Sequence, residues 1–480
     1  MEIKHLIFII ALIGIIPLAY FLMLSQRFTK ICVFLIPFVL TQYEQTAINF
    51  LSNPVFKGSA RGYEISLIHI IAVALLLSMI LRRWPVKFFF PGVIHYSIFF
   101  FICLLSMTAS PNKVYSGFEI MKMITFFFVF LAVANYFYIT HDFDSFLNGL
   151  AIVVAISFFL SFKMKYFEGR VQTPGIFHHQ NSAGMFMCLV GPLFLSRLLN
   201  KKEYLFKTFF YLSAFLMSFL SALFTYSRGT LACFPLGCFI VIFFSLAFHF
   251  TLKTLIVIFV TSLLGIAAIG YSAPNIYKRF TQASGGSAEM RMILKNTAMN
   301  IIRDKPLLGC GVNNWGIVAA YPQYNPYRAN DTHGRFRKGD FCGPVETIYF
   351  LVGAECGLLG LGALLLWYFY YLYQAVYQAY RWRKTDFFYL LAGLEGGLGS
   401  NYLQSTLEWC LKQQINFCIL FCCFGIIAVL IQGSHEHTTL SYLELLALRR
   451  EEQRKQLQMA AEEAQQDQLN EEQQSQMLEQ

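Results

Sequence analysis

Charge is what this chain has least of. Asp, Glu, Lys and Arg make up 13% of its 480 residues, where a soluble globular chain carries roughly a quarter. So few charges cannot cover the surface of a soluble fold of this length, and that class is excluded. The phosphate-cradling Gly-x-x-x-x-Gly-Lys-Ser/Thr sequence is also missing, so nothing supports nucleotide hydrolysis. No outward acidic pair stands with a histidine cluster. The adjacent His178 and His179 would point about 100° apart in a helix, so they grip one metal poorly, and neither a metal nor another cofactor is expected. Cysteine is not scarce, at 12 residues, but most lie inside apolar runs and behave there as small hydrophobes. Only Cys310 and Cys342 share an extramembrane loop, where an oxidising environment would allow a disulfide between them as an alternative to two free thiols.

What the chain has is apolar length. Hydrophobic residues reach 56% and the mean hydropathy is +0.53. Runs of about 20 apolar residues, enough to cross a ~30 Å hydrocarbon core, recur along most of the sequence. Spans are expected near 5–24, 31–50, 64–81, 93–108, 117–138, 145–162, 180–198, 206–224, 230–248, 253–271, 346–372, 386–406 and 414–432. The first run has no small-residue cleavage site before the next one and reads as a retained span. The expected fold is all-α: a polytopic bundle of about 12–13 spans with one large extracytoplasmic loop. Residues 1–162 form N-terminal spans, 163–432 a second membrane region that includes the loop 272–345, and 433–480 a cytoplasmic tail. From residue 449 onward that tail is rich in Gln and Glu, without an aromatic residue.

Basic residues set the orientation. Arg27/Lys30, Arg82/Arg83/Lys87, Arg197/Lys201/Lys202 and Arg381/Arg383/Lys384 fall on one side together with the tail, and that side is expected to be cytoplasmic. The segments 163–179, 225–229, 272–345 and 407–413 then face outward. The 272–345 loop carries ten Lys/Arg against Glu289, Asp304, Asp331 and Asp340, a balance of +6. An outward basic loop departs from the usual bias, and binding an anionic group near the membrane is one reason for it; a solvated loop is the other. Within it Met290, Ile293, Leu294, Thr297 and Ile301 recur at helical spacing, with Ser287 as N-cap and Pro306 as stop. Arg291 and Lys295, four apart, share a face, which suits a membrane-surface helix turned toward lipid phosphate.

Four polar segments stand at outward span ends. They are Arg170-Val-Gln-Thr-Pro-Gly-Ile-Phe-His-His-Gln-Asn181, Tyr226-Ser-Arg-Gly229, Arg303-Asp-Lys-Pro-Leu-Leu-Gly-Cys-Gly-Val-Asn-Asn-Trp315 and Pro344-Val-Glu-Thr-Ile-Tyr-Phe-Leu-Val-Gly-Ala-Glu-Cys-Gly-Leu-Leu-Gly360. An arginine in the short loop 225–229 needs a partner, a carboxylate or a bound anion. Taken in this order, over roughly residues 165–432, the segments resemble the O-antigen ligase and O-antigen polymerase family of bacterial membrane glycosyltransferases. The resemblance implies transfer of a glycan from a polyprenyl diphosphate carrier to an acceptor hydroxyl on the periplasmic face of the inner membrane, without metal or nucleotide. It implies diphosphate-binding arginines, matched here by Arg228 and Arg291. It implies an acceptor-activating residue, usually histidine, where this chain has Glu346; a carboxylate can take the proton as general base, and His333 upstream is the alternative. Arg170, His179, Asn181, Asn313 and Tyr349 are the further substrate-binding candidates. The plainer roles stay open: Arg228 as an interfacial charge, Arg291 as surface decoration, His179 and Asn181 as helix caps, Glu346 as a helix N-terminal charge. Trp409, in the polar cluster with Ser405, Glu408, Lys412 and Gln413, reads as an interfacial anchor. A ligase and a polymerase are equivalent on these residues. From another class, a transporter or flippase for lipid-linked glycans would line a path with Glu44, Lys122 and Glu395, and an inactive scaffold would use only the loop or tail.

Overall fold

The apolar runs become helices almost wherever they are expected. The structure, a computed structural model, describes residues 3–200, 202–281, 285–325 and 341–436. The N-terminal part contains α1 (Ile3–Leu24), α2 (Gln26–Thr41), the single turn α3 (Tyr43–Thr46), a hairpin of β1 (Ile48–Ser52) and β2 (Gly62–Ile65), α4 (Leu67–Leu81), α5 (Val93–Ser106), α6 (Lys113–Thr140) and α7 (Asp144–Tyr166). Then come α8 (Gln180–Leu199), α9 (Leu205–Phe224), α10 (Arg228–Phe248), α11 (Leu252–Thr281), α12 (Gly285–Asp304) and the single turn α13 (Trp315–Val318). Last are α14 (Ile348–Arg381), α15 (Phe387–Gln404) and α16 (Gln414–Glu436). Among the described residues, eight helices are long and apolar enough to cross a membrane, and three shorter apolar ones, α1, α4 and α5, accompany them. With α2 and α15, each of the thirteen expected spans coincides with a helix. The chain is therefore a polytopic helical membrane protein. The tail beyond residue 436 lies outside the described residues.

Two expected elements differ. The span near 31–50 ends at Thr41, because Gln42, Glu44 and Gln45 leave an apolar environment. The chain then turns through α3 into the antiparallel hairpin, whose register slips by a bulge between Asn49 and Leu51. The loop helix α12 begins at Gly285, so Ser287 lies inside it instead of capping it. Its apolar stripe is spent on protein: Leu294, Thr297, Ala298 and Ile301 are buried, and the helix packs on α14. Arg291 and Lys295 do share a face, but Arg291 meets Glu346, just before α14, and Lys295 stands over the Phe350 ring at 5.4 Å.

The core gathers around α8, every described side chain of which from Ser182 to Leu199 is buried. It lies against α9, α10 and α15. Backbones approach closely there: a Cβ on Gly397 would press on the Leu189 carbonyl, and one on Gly237 would meet the Gly396 carbonyl at 2.9 Å. Small residues supply such contacts where no water drives helices together.

Loops tie together at each end of the bundle. The basic loops form one set: Arg82 donates to the carbonyls of Met23 and Leu22, Lys30 pairs with Asp142, Arg197 with Asp144 and Glu203, and Lys202 with Asp386. The opposite set joins the hairpin, the 107–112 turn, the 167–179 and 225–227 loops, the 305–325 segment and residues 405–413. The lengths of the helices separate the two sets.

Candidate active site

The site grows from two helix interruptions in the second set of loops. α14 breaks at Gly357, whose φ of 68° and ψ of −171° only glycine adopts readily. The break frees the carbonyls of Ala354 and Glu355, which accept from Cys310 N at 2.9 Å and Gly311 N at 2.8 Å, while Leu358 N donates to Pro306 O at 2.7 Å. Gly309, at φ 65°, lies so near Ala354 and Glu355 that a Cβ would collide with both backbones. The Gly309-Cys-Gly311 sequence thus docks the third polar segment onto the fourth. Asn313 completes the docking. It is fully buried, its Nδ2 donates to Ala60 O and Tyr115 O, and its Oδ1 accepts from Ser59 N and Ala60 N. These contacts make it a hub that pins the hairpin loop. Cys310 and Cys342 are both buried and are not joined in a disulfide. Cys310 faces the α14 break, and Cys342 Sγ donates to Ala319 O at 3.4 Å.

The second interruption is the 405–413 turn between α15 and α16. Ile348 N, at the start of α14, reaches the carbonyls of Ser405 and Glu408, both at 3.2 Å. α8 grips the same turn: Asn181 Nδ2 donates to Glu408 Oε1 at 2.6 Å, and Ser182 Oγ donates to Gln413. These contacts bring Glu346 and Glu408 to the same guanidinium, that of Arg291. The guanidinium forms an ion pair with Glu346 and stands 3.7 Å from Glu408 Oε1. Glu346 is about one-third exposed at its side chain, Glu408 only 6%. Burial, reinforced by the charge of Glu346, pushes the Glu408 carboxyl up to about 7, against the opposing pull of Arg291 and Asn181. His179 caps α8 by accepting from Asn181 N at 3.2 Å, and burial lowers its pKa while Glu346 opposes the shift.

Arg228 opens α10 next to this cluster. The neighbouring Gly229 lies against Gln404 and Leu407, immediately before Glu408. The turn that carries Arg228 is held by the 163–173 segment: Gln172 Nε2 donates to Thr225 O, Thr173 N to Phe224 O, and Lys165 Nζ to the Tyr226 hydroxyl at 2.8 Å. Among the described residues Arg228 has no carboxylate or hydrogen-bond partner. It is half-buried at the amino end of a 21-residue helix, where backbone N–H groups and the helix dipole favour an anion.

Two other candidates take ordinary structural contacts. Arg170 is exposed and pairs with Glu168 at 3.0 Å, and Tyr349 donates its hydroxyl to Tyr402 O at 2.8 Å. His333 lies outside the described residues.

The sequence reading missed two features. Glu408 was visible only as one member of a polar turn. The other is a closed group of four buried charges. Glu119 pairs with Lys122 at 2.7 Å, and Lys412 pairs with Glu355 at 2.7 Å and with Glu119 at 3.6 Å. Lys122 also donates to Lys412 O at 2.9 Å. Charges inside apolar runs were the available signal, and their mutual pairing required the fold. Lys122 is therefore neutralised in place, Glu44 pairs with His178 at 3.1 Å, and Glu395 is buried separately in α15. No described contact joins these three into a transport path.

The fold and this arrangement define a polytopic membrane protein with an arginine–carboxylate site at one end of its bundle. Residues 213–365 match the family model described as O-antigen ligase. The match is narrower than the expected 165–432. It contains Arg228, Arg291 and Glu346, whereas His179, Asn181 and Glu408 reach the site from outside it. No curated protein matches the chain at a significant level.

Proposed function

We propose that this protein transfers a glycan from a polyprenyl diphosphate carrier to an acceptor hydroxyl, at the periplasmic face of a bacterial inner membrane. The single observation that carries the reading is Arg291 shared by Glu346 and Glu408, beside Arg228, which has no partner among the described residues, with both arginines and Glu346 inside the segment that matches the O-antigen ligase family. The acceptor oxygen attacks the anomeric carbon and the bond to the diphosphate oxygen breaks. The diphosphate leaves with the electron pair, and the configuration inverts. Arg228 and Arg291 meet the charge on the leaving group, since the guanidinium fork matches phosphate oxygens. The acceptor proton passes to Glu408, whose raised pKa suits a base working near neutrality. Glu346 keeps Arg291 in place and raises Glu408. No step in this reading calls on a metal ion or a nucleotide.

A second reading gives the proton to Glu346 itself. It is favoured by the greater exposure of that carboxylate and by its position where related proteins usually place histidine. Ligase and polymerase remain the two forms of the reaction, distinguished by the acceptor.

The test is purified protein in lipid discs with polyprenyl-diphosphate glycan and acceptor extracted from the source cells, followed by measurement of released polyprenyl diphosphate. Release by the wild type and its loss in Glu408→Gln support the reading. Loss in Glu346→Gln with Glu408→Gln active moves the base to Glu346. Both active with His333→Ala dead moves it to His333. No release by the wild type sinks the transferase.

A further inference from the structure

Beside the arginine–carboxylate cluster a cleft of about 470 Å³ opens between the N-terminal hairpin and the residues around Trp409. It has the size of a small-molecule pocket, which typically spans ~300–1,000 Å³. Its walls come from 41–64, 177–182 and 409–416, all outside the family match at 213–365.

The lining chemistry is neither that of a lipid groove nor that of an anion site. Glu44 and Glu64 both face the cleft with Arg61, so the lining lacks the surplus of positive charge that a diphosphate needs. Burial, with the charge of Glu44, pushes the Glu64 carboxyl up to about 7, which lets it donate as well as accept near neutrality. Tyr43 and Trp409 supply aromatic faces. Two carboxamides are left incomplete. Asn416 is 3% exposed, and its Nδ2 donates to Ser182 O and Cys410 O, but its Oδ1 accepts from nothing described. Asn49 Oδ1 is likewise buried without a partner. A buried carbonyl oxygen without a donor costs free energy that a ligand hydroxyl recovers.

We infer that this cleft binds a saccharide, whose hydroxyls complete Asn49, Asn416 and the facing carboxylates and whose C–H face lies on Trp409. Amide and carboxylate groups beside an aromatic ring match a molecule that alternates hydroxyls with apolar C–H patches. The cleft also adjoins the reacting groups through the chain itself: Trp409 follows Glu408, and His178 and Ser182 flank His179 and Asn181. The site thus divides into an anion half, at Arg228 and Arg291, and a sugar half. This inference rests on the transferase reading for its role, but not for its binding.

The test uses full-length protein in lipid discs and two fluorescently tagged probes that lack diphosphate. One is the saccharide released by mild acid from the source cells' lipid-linked glycan, and the other the saccharide released from their surface-glycan acceptor. Binding of either is expected, and the probe that binds says whether donor or acceptor sugars occupy the cleft. Asn416→Ala and Trp409→Ala should each weaken binding tenfold or more, and Asn49→Ala, on a separate element, serves if Asn416→Ala fails to fold. Arg228→Ala should leave it unchanged. Binding of neither probe, or binding indifferent to all three cleft variants, overturns the inference. Saccharide binding without release of polyprenyl diphosphate would keep the cleft and remove the transferase, and release without cleft-dependent binding would do the reverse.

Discussion

The pH dependence of turnover follows from the surroundings of Glu408. Its carboxyl moves from the ordinary 4.5 up to about 7 because it is buried and faces the charge of Glu346. The displacement corresponds to ~3 kcal/mol favouring the protonated form, at 1.36 kcal/mol for each pH unit. A base with that pKa is about 1% ionised at pH 5 and largely ionised at pH 8. Wild-type kcat/KM should therefore climb about tenfold per unit from pH 5 and level off near pH 7. The sign for stability runs the other way. An acid whose folded pKa is raised stabilises the fold most below its unfolded value near 4.5, and that contribution is lost as pH rises through 7. Protonating Glu408 at pH 5 thus favours the folded state, and the lost rate should return on neutralisation. Glu346→Gln removes the neighbouring charge and leaves Arg291 to Glu408, so the acid limb should move down toward 4.5. Glu408→Gln should lose about 100-fold or more and show no acid limb. The assay is initial release of polyprenyl diphosphate by protein in lipid discs between pH 5 and 8. A flat wild-type profile, or an acid limb that moves upward in Glu346→Gln, would refute the assignment.

Four further outcomes are expected. Arg228→Lys keeps the charge but loses the bidentate fork, and turnover should fall tenfold or more at normal protein accumulation; full activity would make Arg228 an interfacial charge. Lys412→Met leaves Glu355 without its partner and Glu119 with Lys122 alone, and a loss of about 3–5 kcal/mol should appear as a lower midpoint in thermal unfolding of the purified protein. Asn313→Ala strips five hydrogen bonds from a buried hub; about 1–3 kcal/mol for each group left unpaired should be lost from stability, while turnover per folded molecule holds. Gly357→Ala forces a side chain into a positive-φ position against Leu307 O, and a cost of order 1–3 kcal/mol should reduce the yield of folded protein.

Much of this protein is written in one dimension. Hydropathy alone places the helices, because a backbone that crosses hydrocarbon must satisfy its hydrogen bonds within the segment, and a run of apolar residues suffices to mark it. Polar breaks likewise mark where Ser227-Arg228, Gly309-Cys-Gly311 and Glu346 stand at helix ends. Pairing is different, since it depends on which ends meet. Asn313 lies in a promising polar segment, yet the fold commits it to Ala60 and Tyr115. Arg291 lies on a helix that reads as a lipid-facing amphipath, yet its apolar stripe finds α14 and its charge finds Glu346. Glu408 gains its raised pKa only when α8, α12 and the start of α14 close around one turn. The sequence by itself determined the membrane class, the helices and the family segment, because these rest on local composition. The tertiary structure decided which charges are neutralised, which arginine has no described partner and which carboxylate is buried with a raised pKa, because burial and distance set those properties and neither exists before the helices pack.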